Sequence, residues 1–381
     1  MEHRKPKTLV FFLSEDWFFV SHFIKRGIAA KQAGWRVVLL ARVSDCVPQI
    51  EAAGIEVIPV PFNRKRLNPF AELWFAVQLA GIYRRLQPDL VHNVALKPII
   101  VGGVAARLAG VKAVLNAPVG LGFVFSSDKL LAKILKPMVT LALRLTLSPP
   151  NSRVVFENPD DMAAMVGAGM VRPGTEVLIR GAGVDITDFY TAPEPPPPVR
   201  VILIARMIRE KGIPYFVEAA RILRGQAEFI LVGAPDPGNP NSATEAELRG
   251  WEAEGLVTWL GPRRDIPDLL RGAHIACQPS TYREGLPKSA LEAAACGKPL
   301  VTTDVPGCRE AVVDGLTGFL VPPRDAQALA DALKKLIDDL ELRARMGAAG
   351  RLRTEQEFAD AIICEKTLLV YDALTQPRST P

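Results

Sequence analysis

Ala192-Pro193-Glu194-Pro195-Pro196-Pro197-Pro198 runs without a break into Val199-Arg200-Val201-Ile202-Leu203-Ile204. Proline fixes φ and lacks an amide donor, so the first segment can be neither helix nor central strand and predicts a stiff linker. The second has the length and composition of a buried strand. Working back toward the N-terminus, similar runs occur at Thr8–Leu13, Trp35–Ala41, Ile55–Val60, Asp89–Val94, Lys112–Asn116 and Arg153–Phe156. Working forward, they occur at Glu228–Val232, Val257–Leu260, His274–Gln278 and Leu300–Thr303. Helical or loop sequence separates them, including Phe23–Gln32, Phe70–Arg85, Ile99–Leu108, Tyr215–Leu223, Ser242–Trp251 and Ala290–Cys296, and Ala326–Asp338 follows the last. This alternation is that of parallel sheets covered on both faces. It predicts an α/β chain of two tandem Rossmann-like domains facing a cleft at the carboxyl edges of their sheets. The boundaries read as 1–190, a linker at 191–198, 199–355, and a C-terminal helix with tail at 356–381.

Two domains of ordinary size suit 381 residues, of which 49% are hydrophobic and 23% charged. Cys46, Cys277, Cys296, Cys308 and Cys364 contain no CxxC pair and are odd in number. That predicts free thiols, no zinc site and a cytoplasmic location. Met1 to Lys7 is charged and leads directly into a strand-length run, without the pattern of a secretory leader. No apolar run is long enough to span a bilayer. Residues 1–190 carry 23 Lys and Arg against 15 Asp and Glu, whereas residues 191–381 carry 23 against 26. A basic first half suits anionic partners, with ordinary surface charge as the plainer reading. No aromatic-basic platform accompanies it, so nucleic acid is not expected.

Arg206-Met207-Ile208-Arg209-Glu210-Lys211-Gly212 follows the strand Val199–Ile204. Strand ends in open α/β sheets face the ligand crevice, and Arg and Lys there suit phosphate oxygens. Further on, Glu284-Gly285-Leu286-Pro287-Lys288 opens a helix expected to start near Leu286, with Glu292 one turn or more inside it. Were the whole stretch helical, the eight residues between the carboxylates would rise ~12 Å. A glycosidase acid and nucleophile need ~5 Å, so the two acids suit two separate hydroxyl groups at the ends of a nucleotide-activated sugar. Amides from Gly285 to Ser289 would then face its phosphates from a helix N-terminus. The plainer reading is a helix with an acidic approach. Glycine turns at Gly120-Leu121-Gly122, at Gly181-Ala182-Gly183 and in Val305-Pro306-Gly307-Cys308-Arg309-Glu310 could admit phosphate, but none completes GxGxxG, which disfavours nicotinamide and flavin cofactors. No Asp-x-Asp occurs, so no metal-held diphosphate is expected. Ser14–His22 reads as a loop crowded with aromatics, either an acceptor wall with His22 as a contact or base, or a hydrophobic plug. His92 reads as a packing residue. Asn63–Phe70 with its following helix, and Asp128–Leu147, read either as membrane-surface segments or as buried α/β helices with basic outer faces.

With these residues in place, the chain resembles the GT-B-fold glycosyltransferases of family 4, which are retaining nucleotide-sugar transferases. The resemblance rests on Arg206 and Lys211, on Glu284-x7-Glu292, and on Pro299–Leu320 with Thr317-Gly318-Phe319. In the first half, Asn68-Pro69-Phe70, Lys97-Pro98 and Gly120-Leu121-Gly122 are similar to the branch that adds hexosamines to polyprenyl-diphosphate-linked oligosaccharides. The resemblance implies that Arg206 and Lys211 bind the diphosphate, Glu284 stands near the donor hexose and Glu292 on the ribose. It implies that Gly285, Leu286, Pro287 and Lys288 form the loop on sugar and phosphate, and that the last helix, near Gln356–Ala373, crosses back to the first domain. Many members carry His or Asp near the reacting sugar, where this chain reads Asn116-Ala117-Pro118-Val119. The implied activity is metal-independent transfer of a sugar, an N-acetylhexosamine, from a UDP-sugar to a lipid-diphosphate-linked saccharide. The implied setting is the cytoplasm, with a peripheral place on the inner face of the cell membrane left open. A sugar-nucleotide epimerase or hydrolase of the same fold and a non-catalytic nucleotide-sugar-binding scaffold stand as alternatives.

Overall fold

The computed structural model describes residues 6–63, 68–120 and 130–376, with backbone alone for 130–135. The chain divides into two compact units, one of residues 1–182 and 363–381 and one of residues 183–362.

In the first unit, β1 (Thr8–Glu15), β2 (Arg36–Arg42), β3 (Glu56–Pro59), β4 (Leu90–Val94), β5 (Val114–Ala117), β6 (Ser152–Phe156) and β7 (Glu176–Leu178) form one parallel sheet in the order β3-β2-β1-β4-β5-β6-β7. The strand period of two sorts β1 into its two cores. Leu9, Phe11 and Leu13 join Phe19, Phe23, Trp35 and Tyr371 on one face, while Val10 and Phe12 join Phe62, Phe75, Leu79 and Tyr83 on the other. Each such fully buried side chain contributes about 1.5–3 kcal/mol. His92 is buried, lies tilted against the Phe11 ring and meets the Tyr371 hydroxyl through Nδ1 at 2.8 Å. Burial, helped by Arg26, pulls its imidazole down to about 3, so it is neutral.

In the second unit, β8 (Arg200–Ile204), β9 (Glu228–Val232), β10 (Thr258–Trp259), β11 (Ile275–Gln278), β12 (Leu300–Thr303) and β13 (Gly318–Val321) form a parallel sheet in the order β10-β9-β8-β11-β12-β13. Its faces are packed by Phe216, Phe229 and Leu333 on one side and by Leu270, Ala290, Leu291 and Phe358 on the other.

Five sequence readings need correction. The boundary near residue 190 falls instead at 182, because Val184 forms a parallel bridge with Ala359 and Arg351 Nη1 donates to the Phe189 and Ala295 carbonyls, each at 2.7 Å. The proline run is no free spacer: Glu194 accepts from Arg343 Nε at 3.1 Å, and the Pro195 carbonyl meets His274 Nε2 at 3.0 Å. The chain leaves the second unit at 362, and the helix Asp360–Thr375 places Tyr371 and Leu374 in the first unit's core. Ser14–His22 is the end of β1 and a helix, Asp16–His22, because buried Asp16 accepts from the Trp17 amide at 2.8 Å and the Ser44 amide at 2.6 Å. Finally, the helices Pro69–Leu86 and Leu130–Thr146 do not turn purely basic faces outward, since Phe70, Leu73, Trp74, Val77, Met138, Leu141 and Leu145 are all exposed.

Candidate functional site

All strands of the second sheet run the same way, so the loops after β8, β9, β11 and β12 leave from one edge. The chain order reverses between β8 and β11, the place where open α/β sheets bind ligands. Two glycines bring these loops together. Gly212 has φ +78, and a Cβ there would sit 1.9 Å from the Pro279 carbonyl oxygen. Gly307 has φ +85, and its Cβ would sit 2.3 Å from the Glu284 carbonyl oxygen. Only glycine permits both the left-handed backbone and the approach. The Thr281 amide donates to the Glu210 carbonyl at 2.8 Å and the Glu284 amide to the Pro306 carbonyl at 3.0 Å, which ties the loops after β8, β11 and β12 into one edge.

At its centre, Lys211 Nζ donates to Glu284 Oε2 and Ser280 Oγ donates to Glu284 Oε1. The two charged side chains are 14% and 8% exposed, so their pairing is shielded from water. Burial alone would pull the Lys211 ammonium down, but Glu284 and then Tyr282 outweigh it and hold the group above the usual lysine range. Lys211 is therefore a fixed cation, with Nζ 5.7 Å from the Tyr282 ring centre. The support extends inward. Gln278 Nε2 donates to Ser280 Oγ at 3.0 Å, and Ser289 Oγ donates to Gln278 Oε1 at 3.1 Å. Burial, with Glu284 beside it, pushes the Cys308 thiol up and keeps it protonated.

The helix after Glu284 spans Lys288–Ala295, two residues later than its sequence suggests, because Pro287 is extended (ψ 118) and caps the helix instead of entering it. Glu284 thus sits in a loop, and the ~12 Å helical rise does not describe its separation from Glu292. The first intrahelical donors are the amides of Ala290 and Leu291, both to Pro287. The amides of Lys288 and Ser289 are at the open, positive end of the helix. Glu292 lies one turn in, 3.4 Å from Lys288 Nζ. Burial raises its carboxyl above the usual range, Lys288 opposes that, and Asp360 adds to it. Arg206 stands after β8, half exposed, with Nη1 2.8 Å from Asp236 Oδ2. The Asp236 amide is fixed in turn by Ser242 Oγ at 2.8 Å.

The structure therefore gathers Lys211, Glu284, Gly285, Leu286, Pro287 and Lys288 at one sheet edge, with Arg206 on the loop after β8 and Glu292 inside the helix. His22 and Gly120 belong to the first unit, where His22 stacks on Phe18 at 4.3 Å, and Gly122 lies outside the described residues. Gln278, Tyr282, Asp236 and Cys308 are missed as site residues by sequence reasoning. Gln278 and Cys308 read as strand and turn residues, and their relation to Glu284 depends on contacts across 6 to 24 residues that no local spacing shows. Among the described residues, no group of three or more His, Cys, Asp or Glu side chains is arranged to hold a metal ion.

Two parallel-sheet α/β units in tandem, the second with cations and carboxylates at its carboxyl edge, define the GT-B class of architecture. Solved structures agree on the fold. Sucrose-phosphate synthase of Thermosynechococcus elongatus superposes with TM-score 0.80 at 22% identity, covering 97% of this chain and 99% of that one. Anabaena HepE in complex with UDP and glucose gives 0.77 at 21%, covering 96% and 100%. Residues 8–147 match the family described as glycosyl transferase 4-like, and residues 188–353 match glycosyl transferases group 1. The chain belongs to these glycosyltransferases and is an enzyme of that class. It is 28% identical, over 95% of its length and 97% of the other's, to the N,N'-diacetylbacillosaminyl-diphospho-undecaprenol alpha-1,3-N-acetylgalactosaminyltransferase of Campylobacter jejuni. It is 25% identical, over 74% of each chain, to the UDP-Gal:alpha-D-GlcNAc-diphosphoundecaprenol alpha-1,3-galactosyltransferase of Escherichia coli.

Proposed function

We propose that this enzyme transfers an N-acetylhexosamine from a UDP-sugar, with retention at the anomeric carbon, to a polyprenyl-diphosphate-linked saccharide at the inner face of the cell membrane. The two named relatives, one along nearly the full chain, support the acceptor class. The single observation that carries the site assignment is the buried Lys211–Glu284 pair beside the open end of Lys288–Ala295. In this reading Arg206, Lys211 and the amides of Lys288 and Ser289 bind the diphosphate. They stabilise the charge that builds on it as the bond to the sugar breaks. Glu284 and Glu292 hold hydroxyl groups of the sugar and the ribose. The acceptor hydroxyl attacks the anomeric carbon, and its proton passes to an oxygen of the departing diphosphate, so no protein base is required. His22, Gly120 and Gly122 stay assigned to the acceptor and phosphate side, and no bound metal takes part.

The test is a screen of UDP- and GDP-sugars with a short-chain prenyl-diphosphate saccharide as acceptor, followed by proton NMR of the product. A UDP-N-acetylhexosamine should be the best donor and the new linkage should be α. Donor hydrolysis or epimerisation at the turnover rate without acceptor, or a β product, would overturn the assignment.

A further inference from the structure

Successive residues of β11 point to opposite faces of the second sheet. Ile275 and Cys277 join Phe216 and Phe229 on one face, and Ala276 joins Ala290 and Leu291 on the other. Gln278 falls on the same face as Ala276 and is 2% exposed. Its primary amide thus occupies a place where packing a helix on a buried parallel strand needs only an apolar side chain. A buried amide left without partners costs about 1–3 kcal/mol. Here both ends are occupied: Nε2 donates to Ser280 Oγ at 3.0 Å, and Oε1 accepts from Ser289 Oγ at 3.1 Å. The backbone beside it is held as well. Thr302 Oγ1 donates to the Gln278 carbonyl at 2.7 Å, and Thr303 Oγ1 donates to the Ser280 carbonyl.

The direction of these bonds decides what reaches the site. Ser280 is fully buried, and its hydroxyl has a single hydrogen. Glu284 Oε1 accepts that hydrogen, while Lys211 Nζ donates to Oε2. The hydrogen is free for Glu284 because Gln278 presents an N–H to Ser280 and not an oxygen. With the amide turned round, two oxygens would compete for one hydrogen and Glu284 would lose its serine donor. One side chain therefore joins three parts of the sheet edge: the end of β11, the loop that carries Glu284, and the first turn of the helix Lys288–Ala295.

We infer that Gln278 is a positioning residue for the sugar donor: through Ser280 and Ser289 it fixes the Glu284 carboxylate relative to the open end of the helix. It so sets the separation between the group that holds the sugar and the groups that hold the diphosphate. This rests on the donor site proposed above, and the experiment separates the two. The full chain, Gln278→Met and Gln278→Glu are compared by kcat and KM with the native chain's preferred UDP-sugar, by UDP affinity, and by thermal melts. Gln278→Met keeps the volume and loses both bonds. Its kcat should fall ~10–10²-fold, the scale of a displacement of about 1 Å at a reacting group, while UDP affinity stays within about threefold. Gln278→Glu keeps the shape and reverses the direction, since its carboxylate takes the Ser280 hydrogen from Glu284. Once protonated, its O–H can donate to Ser280 as the amide does, and burial beside Glu284 raises the pH at which that happens. Its kcat relative to native should therefore recover by at least about fivefold from pH 8.5 to pH 6.0, whereas the ratio for Gln278→Met should stay level. Taking ratios at each pH cancels the titration of Lys211, Tyr282, Glu284, Glu292 and Cys308, which all three proteins share. Native kcat and KM in Gln278→Met would overturn the inference, as would a loss of UDP affinity equal to the loss of kcat, which marks a general disturbance of packing. Should Gln278→Glu melt below the assay temperature, the split between kcat and UDP affinity in Gln278→Met decides alone. A native chain that prefers another nucleotide sugar overturns the N-acetylhexosamine reading only, and the same ratios are then read with that donor.

Discussion

Arg206→Ala separates a structural cation from a functional one. Its guanidinium is 52% exposed and its ion-pair partner Asp236 is 23% exposed. A pair so open to water contributes about 0–1 kcal/mol to stability. In a unit the size of residues 183–362, that is a melting shift of at most ~2–4 °C. If Arg206 instead stabilises charge on the leaving diphosphate, its loss should cost what one preorganised donor supplies, ~2.7–4 kcal/mol, or ~10²–10³ in kcat/KM. Initial rates of UDP release with acceptor present, measured beside thermal melts, give both quantities on the same protein. Arg206→Lys should fall between, since it keeps the charge and loses the planar fork. The reasoning is refuted if kcat/KM falls by less than about threefold, or if the fall comes with a melting loss of equal free energy.

Glu292→Gln should behave in the opposite sense. Burial raises the folded carboxyl above its ordinary 4.5, so the folded state favours the protonated form. Stability from this group is complete below pH 4.5 and is lost as pH rises through the higher folded value, so the variant should melt higher than the native protein at pH 7 and equal to it below about pH 4. The same variant should bind UDP-sugars more weakly, and unchanged affinity would remove Glu292 from the ribose. Gly307→Ala places a methyl 2.3 Å from the Glu284 carbonyl oxygen at φ +85, so it should cost at least about 1–3 kcal/mol in denaturant unfolding and most of the turnover. A native midpoint would show that the two loops are not held by this approach. Turnover should persist in excess chelator; complete loss restored by magnesium would contradict diphosphate binding by protein cations alone.

The sequence carries the fold clearly because buried parallel strands are short apolar runs with turn residues on either side, and eleven of the thirteen strands among the described residues are visible that way. The two missed are edge strands: β7 has three residues, and β13 begins at Gly318, whose Cβ would lie 1.9 Å from the Leu300 carbonyl oxygen. Lys211 and Glu284 were legible because a charged pair of residue types after two strand ends falls on one sheet edge once the strands are parallel. Their direct pairing was not, since it spans 73 residues and depends on Gly212 and Gly307 bringing the loops into contact. Pro287 shows a smaller limit. It fits a helix N-terminus in either position, and only its ψ decides whether it caps the helix or enters it. The helices Pro69–Leu86 and Leu130–Thr146 show a larger one. When apolar residues occupy both faces, periodicity does not tell which face is inside, so the sequence leaves basic outer faces and membrane-surface segments both open, and only the structure shows Trp74 and Leu141 exposed.

The most direct measurement is calorimetric titration of UDP and of uridine into the native chain and into Arg206→Ala/Lys211→Met. If these cations hold the diphosphate, the native chain should prefer UDP over uridine by ~10²-fold or more, and the double variant should lose most of that preference while its uridine affinity stays the same. A preference for UDP that survives intact in the double variant would contradict diphosphate binding at this sheet edge.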